Sequence, residues 1–132
     1  MVFNIIDVLE ALAYYIGMIL VIGGGVLDLI ASIGMNRFKN FYLRLHAATI
    51  GAIGGGFYPL IGLGLISLTI EQLGINRYYI AGIAFTTALF LVITAPVGSH
   101  AIAQGAHKSR IVLPKPIIVD RLMEDEESEV KK

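Results

Sequence analysis

Few side chains in this sequence could do chemistry. Asp28, Arg44, His46 and His100 are ionisable groups placed within or at the edge of long apolar stretches, where such groups are costly and so tend to mark pathways or contacts. Aspartate and histidine in series can hand a proton along. The same groups can act as a polar staple, joining helices within the chain or to a neighbour, because buried polar groups need partners whatever their role. For one small chain the staple is the more economical reading.

Other chemistries fall away by composition. The 132 residues include no cysteine, which removes disulfides, thiolate zinc sites and cysteine-ligated iron–sulfur clusters. His46, His100 and His107 lack companions suited to haem or a catalytic metal. The triplets Gly23-Gly24-Gly25 and Gly54-Gly55-Gly56 lack the lysine and the strand-to-helix setting of a nucleotide loop. No nucleophile or acid–base pair is assembled, so neither a cofactor nor catalysis is expected.

The elements that must position the four groups are apolar rods. Hydrophobic residues make up 56% of the chain, and residues 11–33, 47–70 and 79–103 are each apolar for long enough to cross a bilayer. Each gives about 34–38 Å of helix against a hydrocarbon core of about 30 Å. In lipid every backbone amide needs a partner within its own segment, so the fold class is all-α with three transmembrane helices. Residues 1–107 read as the transmembrane unit and 108–132 as a charged cytoplasmic tail.

Charge sets the orientation. Of ten Lys and Arg residues, only Arg77 falls on the side of the N-terminus and the 71–78 loop. The positive-inside rule then puts the N-terminus outside and the C-terminus in the cytoplasm. Phe38, Phe41, Tyr42 and Leu45 repeat at i, i+3, i+4 and i+7, which predicts a short interfacial helix in the first cytoplasmic loop. His107 is expected to be a solvated tail residue.

Lipid tails are as apolar as leucine, so helices in a bilayer associate through small residues and buried polar contacts. Gly17, Val21, Gly24, Asp28 and Ala31 share one face of the first span; Gly51, Gly55, Tyr58 and Gly62 share one face of the second. That is more small-residue surface than three helices are expected to use internally, so some of it should meet other polypeptides. Pro59 and Pro96 each remove a backbone donor, which predicts kinks and freed carbonyls at Gly55 and Val92. Asp28 lies roughly 8 Å inside the cytoplasmic end of its span, at a cost of about 3 kcal/mol in lipid, and is expected to look into protein with His100 and His46 at similar depth.

Two segments resemble a known family. Ile33-Gly34-Met35-Asn36-Arg37-Phe38-Lys39-Asn40-Phe41-Tyr42-Leu43-Arg44-Leu45-His46-Ala47-Ala48-Thr49 resembles the loop G-x-x-R-F-P-D-F-Y-x-R-L-H-A-A-T of the G subunit of Mrp-type (Mnh, Pha) multisubunit cation/proton antiporters. Thr94-Ala95-Pro96-Val97-Gly98-Ser99-His100-Ala101 resembles that family's T-A-P-V-x-x-H segment. The resemblance covers roughly residues 11–110, and by it Arg37, Arg44, His46, Pro96 and His100 carry over. Lys39-Asn40 stands in place of the usual Pro-Asp, Gln104 in place of a frequent Arg, and Ile50-Gly51-Ala52 in place of a polar stretch; Asp28 stands where an apolar residue is usual.

The resemblance implies a small, non-catalytic subunit in the plasma membrane of a prokaryote. Its partners would be the other subunits of an antiporter module that exchanges a cation, Na+, for H+. An alternative is the same module inside a redox-driven ion-pumping complex of the membrane-bound hydrogenase or sulfur reductase type. A more remote alternative, a holin-like pore former, shares three spans and a charged tail but makes no use of the histidine motifs. No nucleic-acid partner is implied.

Overall fold

The computed structural model describes residues 5–109. Helix α1 spans Ile5–Arg37 and α2 spans Phe41–Gly51. A π-helical turn at Ala52–Phe57 then leads into α3, Tyr58–Thr69. A 3-10 turn at Glu71–Leu73 precedes α4, Asn76–Lys108. The backbone is helical without a break from Phe41 to Thr69, so α2, the π turn and α3 form one middle rod. Three helical stretches are thus long and apolar enough to cross a membrane, and the described residues contain no strand. At about 1.5 Å per residue the outer rods are roughly 50 Å long, so they overhang the hydrocarbon layer or tilt within it.

The rods run up, down and up, and they lie side by side. The middle rod packs against α1 on one flank and against α4 on the other, whereas α1 and α4 share no substantial packing. With only one rod covered on two sides, the core is thin. Its buried apolar side chains are Ala31, Ala47, Ala81, Ala84 and Ala88, and no large side chain among the described residues is fully buried. Small residues fill the seams because lipid supplies no hydrophobic drive between helices, leaving close van der Waals packing to hold them.

The segment expected to form a separate interfacial helix is the start of the middle rod. Only residues 38–40 separate α1 from α2, and Phe41, Tyr42 and Leu45 lie in the first turns of α2. Asn40 makes this short link possible: its side chain accepts a hydrogen bond from the Tyr42 N–H at 2.9 Å and caps the helix. At the opposite end, Gly74 has φ +55°, a left-handed conformation that glycine adopts without the Cβ penalty.

The third helix runs five residues beyond the expected limit of 103 and carries His107 with it. His107 is buried, not solvated. It continues an inward stripe of Ala81, Ala84, Ala88, Ala95, Ser99 and Ala103, whose spacings of three, four and seven keep one helical face towards the middle rod. The helix also passes through Pro96 without interruption. Beyond residue 109 the expected cytoplasmic tail lies outside the described residues.

Asn40→Ala should lower the stability of the purified chain by about 1 kcal/mol, the usual value of an N-cap, whereas Asn40→Asp keeps an accepting oxygen and should match wild type. Thermal unfolding in detergent followed by circular dichroism checks both; an unchanged Asn40→Ala midpoint would contradict the cap's role.

Candidate functional site

The tightest part of the molecule is the seam between α1 and the middle rod. A Cβ added to Gly17 would lie 2.7 Å from the Gly62 carbonyl oxygen, and one added to Gly62 would lie 2.5 Å from the Gly17 carbonyl oxygen. The two glycines therefore face each other reciprocally, each offering Cα–H groups to the other's carbonyl, a weak contact typical of close helix crossings. About two turns along, Gly24 meets the Pro59 ring and the Gly54 carbonyl. Next come Asp28 against Gly55 and Gly51, and Ala31 against Gly51.

Two expectations change here. The small-residue faces of the first and second spans meet each other and are not left over for other polypeptides. Gly17, Gly24 and Ala31 are buried as a result. The place expected for Tyr58 is taken by Pro59, and Tyr58 is exposed. The reason is the π turn, whose last bond runs from the Tyr58 N–H to the Ile53 carbonyl. One extra residue in the turn rotates the remainder of the rod by about 100°, so a face read at strict α spacing drifts off by one position. The Gly54 carbonyl, within this turn, is the one facing Gly24.

The seam between the middle rod and α4 uses other glycines. Gly64 receives the edge of the Phe85 ring and Gly56 receives a Leu91 methyl group. Its polar links are a hydrogen bond between the Thr49 and Ser99 hydroxyls at 2.6 Å and, towards the other end, one from the Ser67 hydroxyl to the Arg77 carbonyl at 3.5 Å. Thr49 can donate to the Leu45 carbonyl while accepting from Ser99, and Ser99 can instead donate to the Ala95 carbonyl, so the two hydroxyls share protons within a closed local set. The sequence signal for this pair was present: both residues sit inside the two motifs, and each lies within a stripe of small residues.

The four candidate groups do not converge. Asp28 rests on the flank of the middle rod that faces α1, and the Thr49–Ser99 pair lies on the flank that faces α4. His100 follows Ser99 and is exposed; His46 lies three residues before Thr49 and is exposed. Arg44 donates from Nε to the Phe38 carbonyl and so braces the 38–40 link. Among the described residues, no hydrogen bond or ion pair joins Asp28, His46 and His100, and no group of three acidic or histidine side chains could hold a metal ion. Asp28 itself is exposed along its outer side.

The motifs and the rods coincide with a family comparison. A family model described as Na+/H+ antiporter subunit (PhaG, MnhG, YufB) matches residues 20–107, most of the three rods. The chain belongs to this family of Na+/H+ antiporter subunits. It is therefore a multi-pass plasma-membrane protein. Relatives include the G1 subunit of the Na(+)/H(+) antiporter of Staphylococcus haemolyticus, 33% identical over 81% of this chain and 86% of that protein. The UPF0091 protein PH1455 of Pyrococcus horikoshii is 31% identical over 83% and 88%. No solved structure matches the chain. Against the family pattern, the Lys39-Asn40 departure keeps its physical purpose, since Asn40 supplies the capping oxygen that aspartate would.

Gly24→Val should destabilise the isolated chain by about 1–3 kcal/mol, as overpacking does, because its side chain meets a proline ring and a backbone carbonyl that cannot move aside. Gly23→Ala, with nothing within 4 Å of the new Cβ, should change stability by no more than about 0.5 kcal/mol. Equal effects in a detergent unfolding series would overturn the seam as described. In the same assay Thr49→Val and Ser99→Ala should each cost on the order of 0.5–1.5 kcal/mol, with the double variant costing less than their sum.

Proposed function

We propose that this chain is a non-catalytic, accessory subunit of a multisubunit cation/proton antiporter, with Na+ as the cation exchanged by the assembly. Family membership supports the transport role. The observation that carries the accessory role is the shape of the protein: a row of three rods with a core of alanines and glycines, and large apolar side chains exposed on every rod. A row of this kind encloses no passage of its own. It can seal and position the helices of larger subunits placed against it.

The orientation proposed with this role has the N-terminus outside and the 38–40 link in the cytoplasm, on the positive-inside argument. The chain lacks native cysteine, so single cysteines report topology directly. Lys39→Cys should react with an impermeant maleimide only from the cytoplasmic side, and Gln72→Cys only from outside. Labelling of both from one side would contradict the three-span arrangement.

Deleting the gene should abolish Na+-dependent proton exchange in everted membrane vesicles, and the wild-type chain supplied in trans should restore it. A tagged chain purified in mild detergent should bring antiporter subunits with it. Full exchange without the chain would refute an accessory role, and recovery with iron–sulfur redox subunits would move it to a redox-driven pump.

A further inference from the structure

One edge of α1 is unlike the rest of its surface. Gly25, Asp28, Ser32 and Asn36 succeed one another at spacings of three, four and four, so they line a single strip beside the buried face. All four are exposed. A Cβ at Gly25 would meet nothing within 4 Å, which leaves a smooth notch one turn from Asp28. The Asn36 amide donates to the Ser32 carbonyl at 3.1 Å, but the Asp28 carboxylate has no hydrogen bond or ion pair among the described residues.

A carboxylate in this position cannot face lipid without cost. It stands five residues, or about 8 Å, inside the apolar stretch that ends at residue 33, a depth from which its short side chain reaches the headgroups poorly. The described residues do not supply the missing charge. The chain's Lys and Arg residues lie at rod ends, in the 38–40 link or beyond residue 109, and none stands inside a rod at the depth of Asp28. The described part of a second copy therefore has no cation to offer at that level either.

We propose that the strip Gly25–Asp28–Ser32–Asn36 seats a transmembrane helix of another subunit, which brings a Lys or Arg side chain to Asp28. The notch at Gly25 admits the helix closely, as small residues do in membranes. Ser32 supplies a hydroxyl and Asn36 an amide along the same line, and Asp28 fixes register through charge. This rests on the accessory-subunit reading and adds the face, the depth and the chemistry of the partner.

The test uses the full-length tagged chain expressed with the other subunits. Asp28→Asn keeps the shape of the side chain and should reduce recovered partner subunits by about tenfold or more, as loss of one member of a buried charge pair does. Asp28→Glu should restore a substantial part. Asp28→Leu, which suits lipid better than wild type, should lose partners at least as severely as Asn. In parallel, Ser32→Cys should resist N-ethylmaleimide in native membranes and react once the assembly is dissociated.

Wild-type recovery of partners with Asp28→Asn and Asp28→Leu would overturn the proposal. So would reaction of Ser32→Cys with a water-soluble maleimide in the intact assembly, which would make the strip the wall of an aqueous path. A Ser32→Cys disulfide dimer formed by the chain expressed alone would point to a second copy, and recovery that depends on Na+ in the buffer would point to a bound ion; either result overturns it. A wild-type chain that recovers no partner at all refutes the accessory-subunit reading instead.

Discussion

The structure depends on how closely α1 approaches the middle rod. In water, apolar side chains would draw the helices together; in lipid that drive is gone, and attraction must come from backbone brought against backbone. Gly17 and Gly62 allow this by presenting carbonyls to each other's α-carbons, and Gly24 allows it by accepting the Pro59 ring and the Gly54 carbonyl. The two seams of the middle rod use different glycines on different faces: Gly62 and Gly54 towards α1, Gly64 and Gly56 towards α4. The glycine content of the second span therefore reflects its place in the centre of the row.

The π turn reconciles these two demands. A regular helix from Phe41 to Thr69 would carry Tyr58 into the α1 seam and leave the proline ring elsewhere. The added residue at Ala52–Phe57 turns Pro59 inward, where its bulk fits the space that Gly24 leaves open. A proline whose missing donor falls at the end of a π turn interrupts the ladder where it is already irregular, which is a mild place to lose a bond.

Much of this was legible in the residues. The apolar lengths fix three rods, and the faces of Gly17–Gly24–Ala31 and Gly51–Gly55–Gly62 were identifiable from spacing alone, because period 3.6 is enforced wherever the helix is regular. Their mutual pairing was not legible, since spacing shows which residues share a face but not what the face meets. Tyr58 was misplaced because a π turn has no periodic signature. His107 was misread because its polarity suggests a helix end, whereas its position in the alanine stripe of α4 sets its burial. Thr49 and Ser99 were overshadowed by their histidine neighbours, yet the hydroxyls bridge the rods while His46 and His100 stay exposed. Asp28 was rightly placed on the glycine face, but it sits at the margin of that face with one side open.

The order of the rods is the claim on which the packing, the thin core and the open strip of α1 all rest. Disulfide formation between paired cysteines in native membranes tests it most directly. The Ala31 Cβ lies 3.2 Å from the position a Gly51 Cβ would take, close to the separation that a disulfide spans, so the pair Ala31→Cys with Gly51→Cys should cross-link within one chain. Ala31→Cys with Ser99→Cys should not, because the middle rod stands between α1 and α4. Efficient cross-linking of the second pair, with none of the first, would contradict the account.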